Sequence, residues 1–490
     1  MFPYKTSLNL DRKSKEALYL QLSNQFINLI RDGKLTSGTK LIGTRSLAEL
    51  LSVHRKTIVA CYDELNLQGW VESIPKKGTF VNKNLPLLEQ TPFIKSKNNN
   101  TKITSGFSFY NNELPFKNLV KDDDVIYLND GVSDGRLTPL NEIARTYRRV
   151  ASKKMIFNEL GYGTTLGSKK LRKVLVDYLN ATRGLQISSD NILITRGSQM
   201  GIWLSSQLLL QKGDIIVVGE TNYSSADITF SHQKAVLKRI SVDENGLVID
   251  EIEVLCKKQK IKAVYVTSHH HHPTTVTLSA ERRIHLLNLA KEYHFAVIED
   301  DYDYDFNYNH APILPLASHD TCNNVIYIGS VCKTVAPVFR IGYLIASKEF
   351  IIEASKIRGF VDRQGDALLE LAFADFIQSG DLDRHIRKVM KIYKQRRDLF
   401  CKLLKEELDD YLEFEVPKGG MAIWAILNKK LNWKDVTKEA KKHQLAIGGW
   451  QRYDLAKTNH NAIRIGFASY TEKEAYELIK RLKITLISLL

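Results

Sequence analysis

In the run "GSVCKTVAPVFRIG", Ser330 is followed by Lys333 and then by Arg340. The apolar text "NVIYI" precedes it, so the lysine stands just past the end of a strand-like segment. A lysine held there can attack an aldehyde and form an imine. Arg340 offers a planar fork that suits a phosphate. Two other apolar runs end in groups of the same kind. "AVIEDDYDYDF" delivers Asp300, Asp301 and Tyr302, and "ILITRGSQMG" delivers Gly197, Ser198 and Gln199 at a helix start. A Gly-Ser turn opening a helix presents free backbone N–H groups to a phosphate. An aspartate can keep a pyridine nitrogen protonated, and a tyrosine can bond a phenolic oxygen. These needs converge on one cofactor, pyridoxal 5′-phosphate. Taken singly, each residue is most often a solvated surface group. Their order and shared position at strand ends carry the reading.

The elements that must position them follow from alternation. Short β-rich runs occur at 192–195, 215–218, 263–266, 296–298 and 325–328, with helical text such as "SAERRIHLLNLAKEY" between several of them. This predicts an α/β domain with a mostly parallel sheet, whose ligands bind at the carboxyl ends of the strands. From about residue 345 helical text dominates, and "MAIWAIL" suggests a smaller α+β subdomain.

The N-terminus reads differently. Leu22, Phe26 and Leu29 recur at helical spacing. "TRSLAELLSV" predicts a short helix with Thr44 as its N-cap, and "HRKTIVACYDELNLQG" a second one with Ile58, Tyr62 and Leu65 on one face. "WVESIPKKGTFV" predicts a hairpin with Lys76, Lys77 and Gly78 at the turn. Two helices and a basic hairpin make a winged helix-turn-helix. His54, Arg55, Lys56 and Thr57 then open the helix that enters a DNA major groove. Residues 1–82 hold 12 lysines and arginines against 7 acids, within a chain of net charge +15. That balance permits polyanion contact. Residues 83–125, rich in Asn, Lys and Ser, read as a linker to the domain at 126–490.

The five cysteines are scattered and form no CxxC pair, which argues against a disulfide framework or zinc site and for a reduced, cytoplasmic setting. No signal-peptide core or membrane-length apolar run is present. The run His269–His272 suggests a metal, but alternate residues of an extended segment point to opposite faces, so at most two converge. No metal is expected.

On these motifs, residues from about 125 onward resemble the fold-type I, class I aminotransferases. The segment "LTSGTKL…TRSLAELLSVHRKTIVACYDELNLQGWVESIPKKGTFV" resembles the GntR-type regulators. The combination is similar to the MocR subfamily of bacterial transcription regulators. The resemblance implies that Lys333 forms the internal aldimine and that Arg340, Ser330, Gly197, Ser198 and Gln199 hold the phosphate. It implies that Asp300 meets the pyridine nitrogen, Tyr302 the ring hydroxyl, and Tyr223 the ring face. It further implies that Arg464 binds an effector carboxylate and that Tyr162 reaches the phosphate of the other subunit of a domain-swapped, head-to-tail homodimer. Arg45, Arg55, Thr57 and Gly78 match the DNA-contacting pattern, and Lys77 at the hairpin turn is a further candidate DNA contact.

Three positions depart from it. Thr275 replaces a glycine, Phe339 replaces a leucine, and Ser225 stands where GABA-sensing members carry a second arginine. The expected function is regulation of a double-stranded DNA operator by an amino compound or by pyridoxal phosphate. The alternative is an aminotransferase with an appended DNA-binding domain.

Overall fold

Leu22, Phe26 and Leu29 lie on one face of the helix Leu18–Arg31 and are buried, as their spacing requires. They open the first of two compact units into which the chain divides, Met1–Asn112 and Glu113–Leu490. The computed structural model describes residues 2–85, 105–110, 124–308, 313–455, 457–458 and 460–490, apart from the side chain of Met155. The expected linker, 83–125, lies mostly outside the described residues.

In the first unit the helix Thr44–Leu51 leads through a tight turn to the helix Arg55–Leu67. The N-cap of the first is Gly43 rather than Thr44, which is already helical and makes no side-chain cap. Ser52, in the left-handed region at φ 51°, ends it. Ile58, Tyr62 and Leu65 of the second helix are buried together with Leu22, Phe26 and Leu47. The strands Val71–Ile74 and Gly78–Val81 form an antiparallel hairpin in register Ile74↔Gly78. Its turn needs positive φ at Lys76 and Gly78, 63° and 117°.

The second unit is built on a seven-stranded sheet. Its spatial order is Ile192–Thr195, Gly342–Ile345, Val325–Ser330, Ala296–Asp301, Ala263–Val266, Ile215–Gly219 and Val236–Ile240. All strands run parallel except Gly342–Ile345, which is antiparallel to both neighbours. Ile192–Thr195 and Ala263–Val266 are buried throughout, as expected of strands covered on both faces. That is why these segments are continuously apolar and do not alternate.

A second core surrounds the antiparallel strands Leu412–Glu413, Ala422–Leu427 and Ala462–Gly466 and the helices Asp381–Leu408 and Glu472–Ile487. Ile126–Leu128, distant in sequence, pairs in parallel with Leu445–Ile447 and buries Leu128 in the same core. In the turn that follows it, Gly131 O accepts from Lys333, three residues past the end of the strand Val325–Ser330.

Candidate functional site

The sheet brings the three loaded strand ends side by side. Asp300 is opposite Ile328 and Asp301 opposite Gly329 in adjacent parallel strands. Ser330 is opposite Gly342 in the next pair, and Gly342 opposite Thr195 beyond it. Residues just past these ends therefore share one cleft.

Asp300 is buried. Its Oδ2 accepts from the Tyr265 hydroxyl at 2.8 Å, and its Oδ1 has no partner. Burial raises its pKa to about 7 despite that hydrogen bond, with Asp301 and Asp303 adding repulsion. An orphaned carboxylate oxygen in a buried cleft is set up to receive a protonated nitrogen.

Gly197 caps the helix Ser198–Leu209 at φ 80°. A Cβ there would lie 2.8 Å from Arg340 Nη2 and would push the guanidinium aside, and φ 80° itself favours glycine. Arg340 Nη2 donates to the Arg196 carbonyl at 2.5 Å. The Ser330 hydroxyl accepts from Cys332 N–H at 3.0 Å. Gln199 Nε2 donates to Thr229 at 2.8 Å and leaves a buried Oε1 unpaired. A helix N-terminus, a glycine turn and an arginine brought together in this way could cradle an anion.

Lys333 Nζ donates to the Gly131 carbonyl at 2.5 Å. Burial lowers its pKa, Arg464 adds to that, and Asp130 opposes it. A lysine so placed loses its proton more readily and is a better nucleophile. Arg464 is 2% exposed; its Nε donates to Asp130 O at 2.9 Å and its Nη1 to Pro273 O at 3.2 Å. Its guanidinium lies 5.8 Å from the Tyr302 ring centre. The Tyr302 hydroxyl donates to His270 O at 2.9 Å. The Tyr223 ring is 5.1 Å from that of His272.

The four histidines take separate partners. His269 meets Asp301, His270 meets Asp303, His271 meets Thr274, and His272 lies among the rings of Tyr223, Tyr302 and Tyr453. Thr275 keeps a left-handed backbone, φ 68°, although it carries a branched Cβ.

Tyr162 faces solvent, 86% exposed, with the Arg363 guanidinium 5.0 Å over its ring. In the first unit, Arg45, His54, Arg55, Lys56, Lys77 and Gly78 are exposed and Thr57 is half-buried. His54 also caps its helix, accepting from Lys56 N–H at 3.2 Å. Arg45, Arg55, Lys56 and Lys77 make no ion pair among the described residues. Sequence reasoning missed Asp130, Gly131, Tyr265 and Arg452. "LNDGVSDG" reads as turn text, and nothing in it shows that this turn closes on the lysine.

The model of the family described as aminotransferase class I and II matches residues 123–482. The chain belongs to that family. Family membership implies pyridoxal 5′-phosphate as the cofactor, and the orphaned Asp300 oxygen and the Gly197–Arg340 cradle fit its pyridine nitrogen and its phosphate. Residues 18–81 match the gntR family of bacterial regulatory proteins. This class I aminotransferase-family protein thus joins a GntR-type DNA-binding domain to an aminotransferase-like pyridoxal phosphate domain, the architecture of the MocR group.

It is 31% identical over 75% of its length to aromatic-amino-acid aminotransferase 1 of Thermococcus litoralis, covering 89% of that enzyme. It is 24% identical to the probable rhizopine catabolism regulatory protein MocR of Rhizobium meliloti, over 98% of this chain and 96% of that one. Among solved structures, a multiple substrate aminotransferase from Thermococcus profundus superposes with a TM-score of 0.71 at 28% identity, over 76% of this chain and 93% of that one. No helix among the described residues is long and apolar enough to cross a membrane.

Proposed function

We propose that this protein is a cytoplasmic, homodimeric transcription regulator that senses an amino compound, or pyridoxal phosphate itself, at Lys333 and alters its grip on an operator accordingly. Residues 1–82 form the DNA-binding domain, 83–125 the linker, and 126–490 the sensing domain. The observation that carries this reading is the pair of adjacent carbonyls at Asp130 and Gly131. One receives Arg464 Nε at 2.9 Å and the other Lys333 Nζ at 2.5 Å. The amine that takes an aldehyde and the guanidinium that takes a carboxylate are thereby held within the reach of one amino acid.

When bound, pyridoxal phosphate supplies an aldehyde that captures amines and a ring that withdraws electrons from them. The chain's own groups do the rest. Lys333 would anchor the cofactor's aldehyde and would be the amine that an effector has to displace. Gly197, Ser198, Gln199, Ser330 and Arg340 hold the phosphate, with Tyr162 contributed to the partner's site. Asp300 holds a proton at the pyridine nitrogen, Tyr302 orients toward the ring hydroxyl, and Tyr223 covers the ring face. Arg464 orients the effector carboxylate. Arg45, His54, Arg55, Lys56, Thr57, Lys77 and Gly78 meet phosphates and base edges.

A DNA-binding domain has no use in amino transfer, which favours sensing over turnover as the purpose of the site. The deciding experiment measures two quantities in one preparation: steady-state keto-acid production from a panel of amino acids, and operator affinity with and without each. Effector-dependent affinity without sustained turnover is expected. Sustained turnover with DNA affinity indifferent to every amino acid and to the cofactor would overturn the proposal.

A further inference from the structure

Asp130 and Arg452 face each other in the cleft beside Arg464. Arg452 Nη2 lies 3.3 Å from Asp130 Oδ2, with the side chains 39% and 30% exposed respectively. The two are not equally fixed. The main chain of Asp130 is tied on both sides: its carbonyl receives Arg464, the next carbonyl receives Lys333, and Asn129 Oδ1 accepts the N–H groups of Gly131 and Val132, each at 3.0 Å. Arg452 comes from the short turn Trp450–Tyr453, which follows Gly449 at φ 63°. It leans on the Tyr453 ring at 4.8 Å, and its Nε has no partner among the described residues. The backbone that bears the carboxylate is anchored, and the guanidinium stands at the end of a longer side chain on a short turn.

The basic groups around Asp130 are Arg452, Lys333, His272 and Arg464; burial holds His272 uncharged, which leaves three charges. Two of these are spoken for once the site is filled. Lys333, once displaced by the effector, stays on the Gly131 carbonyl with burial favouring its uncharged form, and Arg464 takes the effector's α-carboxylate. Asp130 then keeps only the guanidinium that can leave. An acidic effector side chain would meet a carboxylate whose backbone is anchored. An apolar one would cover that carboxylate without giving it a partner. A positively charged side chain takes the place of Arg452, which swings toward solvent.

We propose that the effector is a basic amino acid, with Asp130 as the receptor for its second positive charge and Arg452 as the group that gives way. This rests on the roles given above to Lys333 and Arg464. Asp130 is in this sense a specificity-determining residue, and its position immediately after the strand Ile126–Leu128 puts it in the first turn beyond the expected linker.

The test uses the full-length protein loaded with pyridoxal phosphate. It is titrated with L-lysine, with L-norleucine, which is lysine without the terminal amine, and with L-glutamate, and the visible spectrum of the bound cofactor is followed. L-Lysine should half-saturate at a concentration about tenfold or more below that of L-norleucine, the scale of one charge-assisted hydrogen bond. L-Glutamate should be weakest. Asp130→Asn should bring the lysine-to-norleucine ratio close to one. Arg452→Ser, which removes the competitor and leaves the carboxylate, should widen it, and this variant decides the matter if Asp130→Asn does not fold. Equal response to lysine and norleucine, a preference for glutamate, or a ratio narrowed by Arg452→Ser would overturn the inference while leaving the site reading intact. A protein that shows no spectrum of lysine-attached cofactor, or one whose spectrum none of the three amino acids alters, would overturn both.

Discussion

Tyr265 donates its hydroxyl to one oxygen of Asp300 at 2.8 Å and leaves the other oxygen buried and unpaired. The relationship has a measurable cost in the cofactor-free protein. The Asp300 pKa is about 7 in the folded state, against roughly 3.9 for an unfolded aspartate. Between these values the native state binds the extra proton, so its stability falls as pH rises from about 4 to 7. Asp300→Asn removes that dependence. The cofactor-free variant should be more stable than the parent above pH 7, by up to about 4 kcal/mol, and the gain should vanish near pH 4. Urea unfolding at a series of pH values measures it. With the cofactor present the order should reverse, because the asparagine cannot hold a proton at the pyridine nitrogen.

Gly197→Ala should weaken cofactor retention by about tenfold or more. The added Cβ would stand 2.8 Å from Arg340 Nη2, and φ 80° is unfavourable for alanine by roughly 1–2 kcal/mol. Equilibrium dialysis against pyridoxal phosphate reads the effect. Unaltered retention would remove the Gly197–Arg340 contact from the phosphate site.

Thr275→Gly should stabilise the protein by about 1 kcal/mol. A β-branched residue at φ 68° carries strain that glycine does not, and this exceeds the extra chain entropy glycine brings to the unfolded state. The urea midpoint should rise with no change in the slope.

The architecture was legible because it is written in periodicity. Continuous apolar runs such as 192–195 and 263–266 announce buried parallel strands, and loaded residues after them announce a cleft. The grouping of Gly197, Ser198, Ser330 and Arg340 was legible for the same reason, since all sit within a few residues of a strand end. Asp130, Gly131 and Arg452 were not legible. They reach the cleft by the pairing of Ile126–Leu128 with Leu445–Ile447, two segments more than 300 residues apart, and no local pattern encodes that pairing. Tyr265 was hidden in another way. It is one apolar-looking residue in the strand Ala263–Val266, and only the register Tyr265↔Ile298 shows its hydroxyl to be near Asp300. The Thr44 cap failed because Gly43 already supplies the extended backbone that a cap requires.

Arg55→Ala should weaken DNA binding while leaving cofactor content unchanged. If Arg55 meets a phosphate, the salt slope of log affinity should fall by about one unit. If it reads a base, discrimination at one position should fall by roughly 1–3 kcal/mol. Binding equal to the parent in an anisotropy titration would remove this helix from the groove.

Lys333→Ala shows whether Lys333 is the switch. A duplex selected from random DNA by the purified parent protein serves as the probe. Its affinity is measured by anisotropy for parent and variant, across concentrations of pyridoxal phosphate and of amino acids. The variant should lack the visible band of lysine-attached cofactor and still bind the duplex. It should fail to respond to amino acids at the concentrations that act on the parent, or need more pyridoxal phosphate to reach the same response if the cofactor is itself the signal. A variant that responds to both ligands as the parent does, at the same concentrations, would show that Lys333 is not part of the switch.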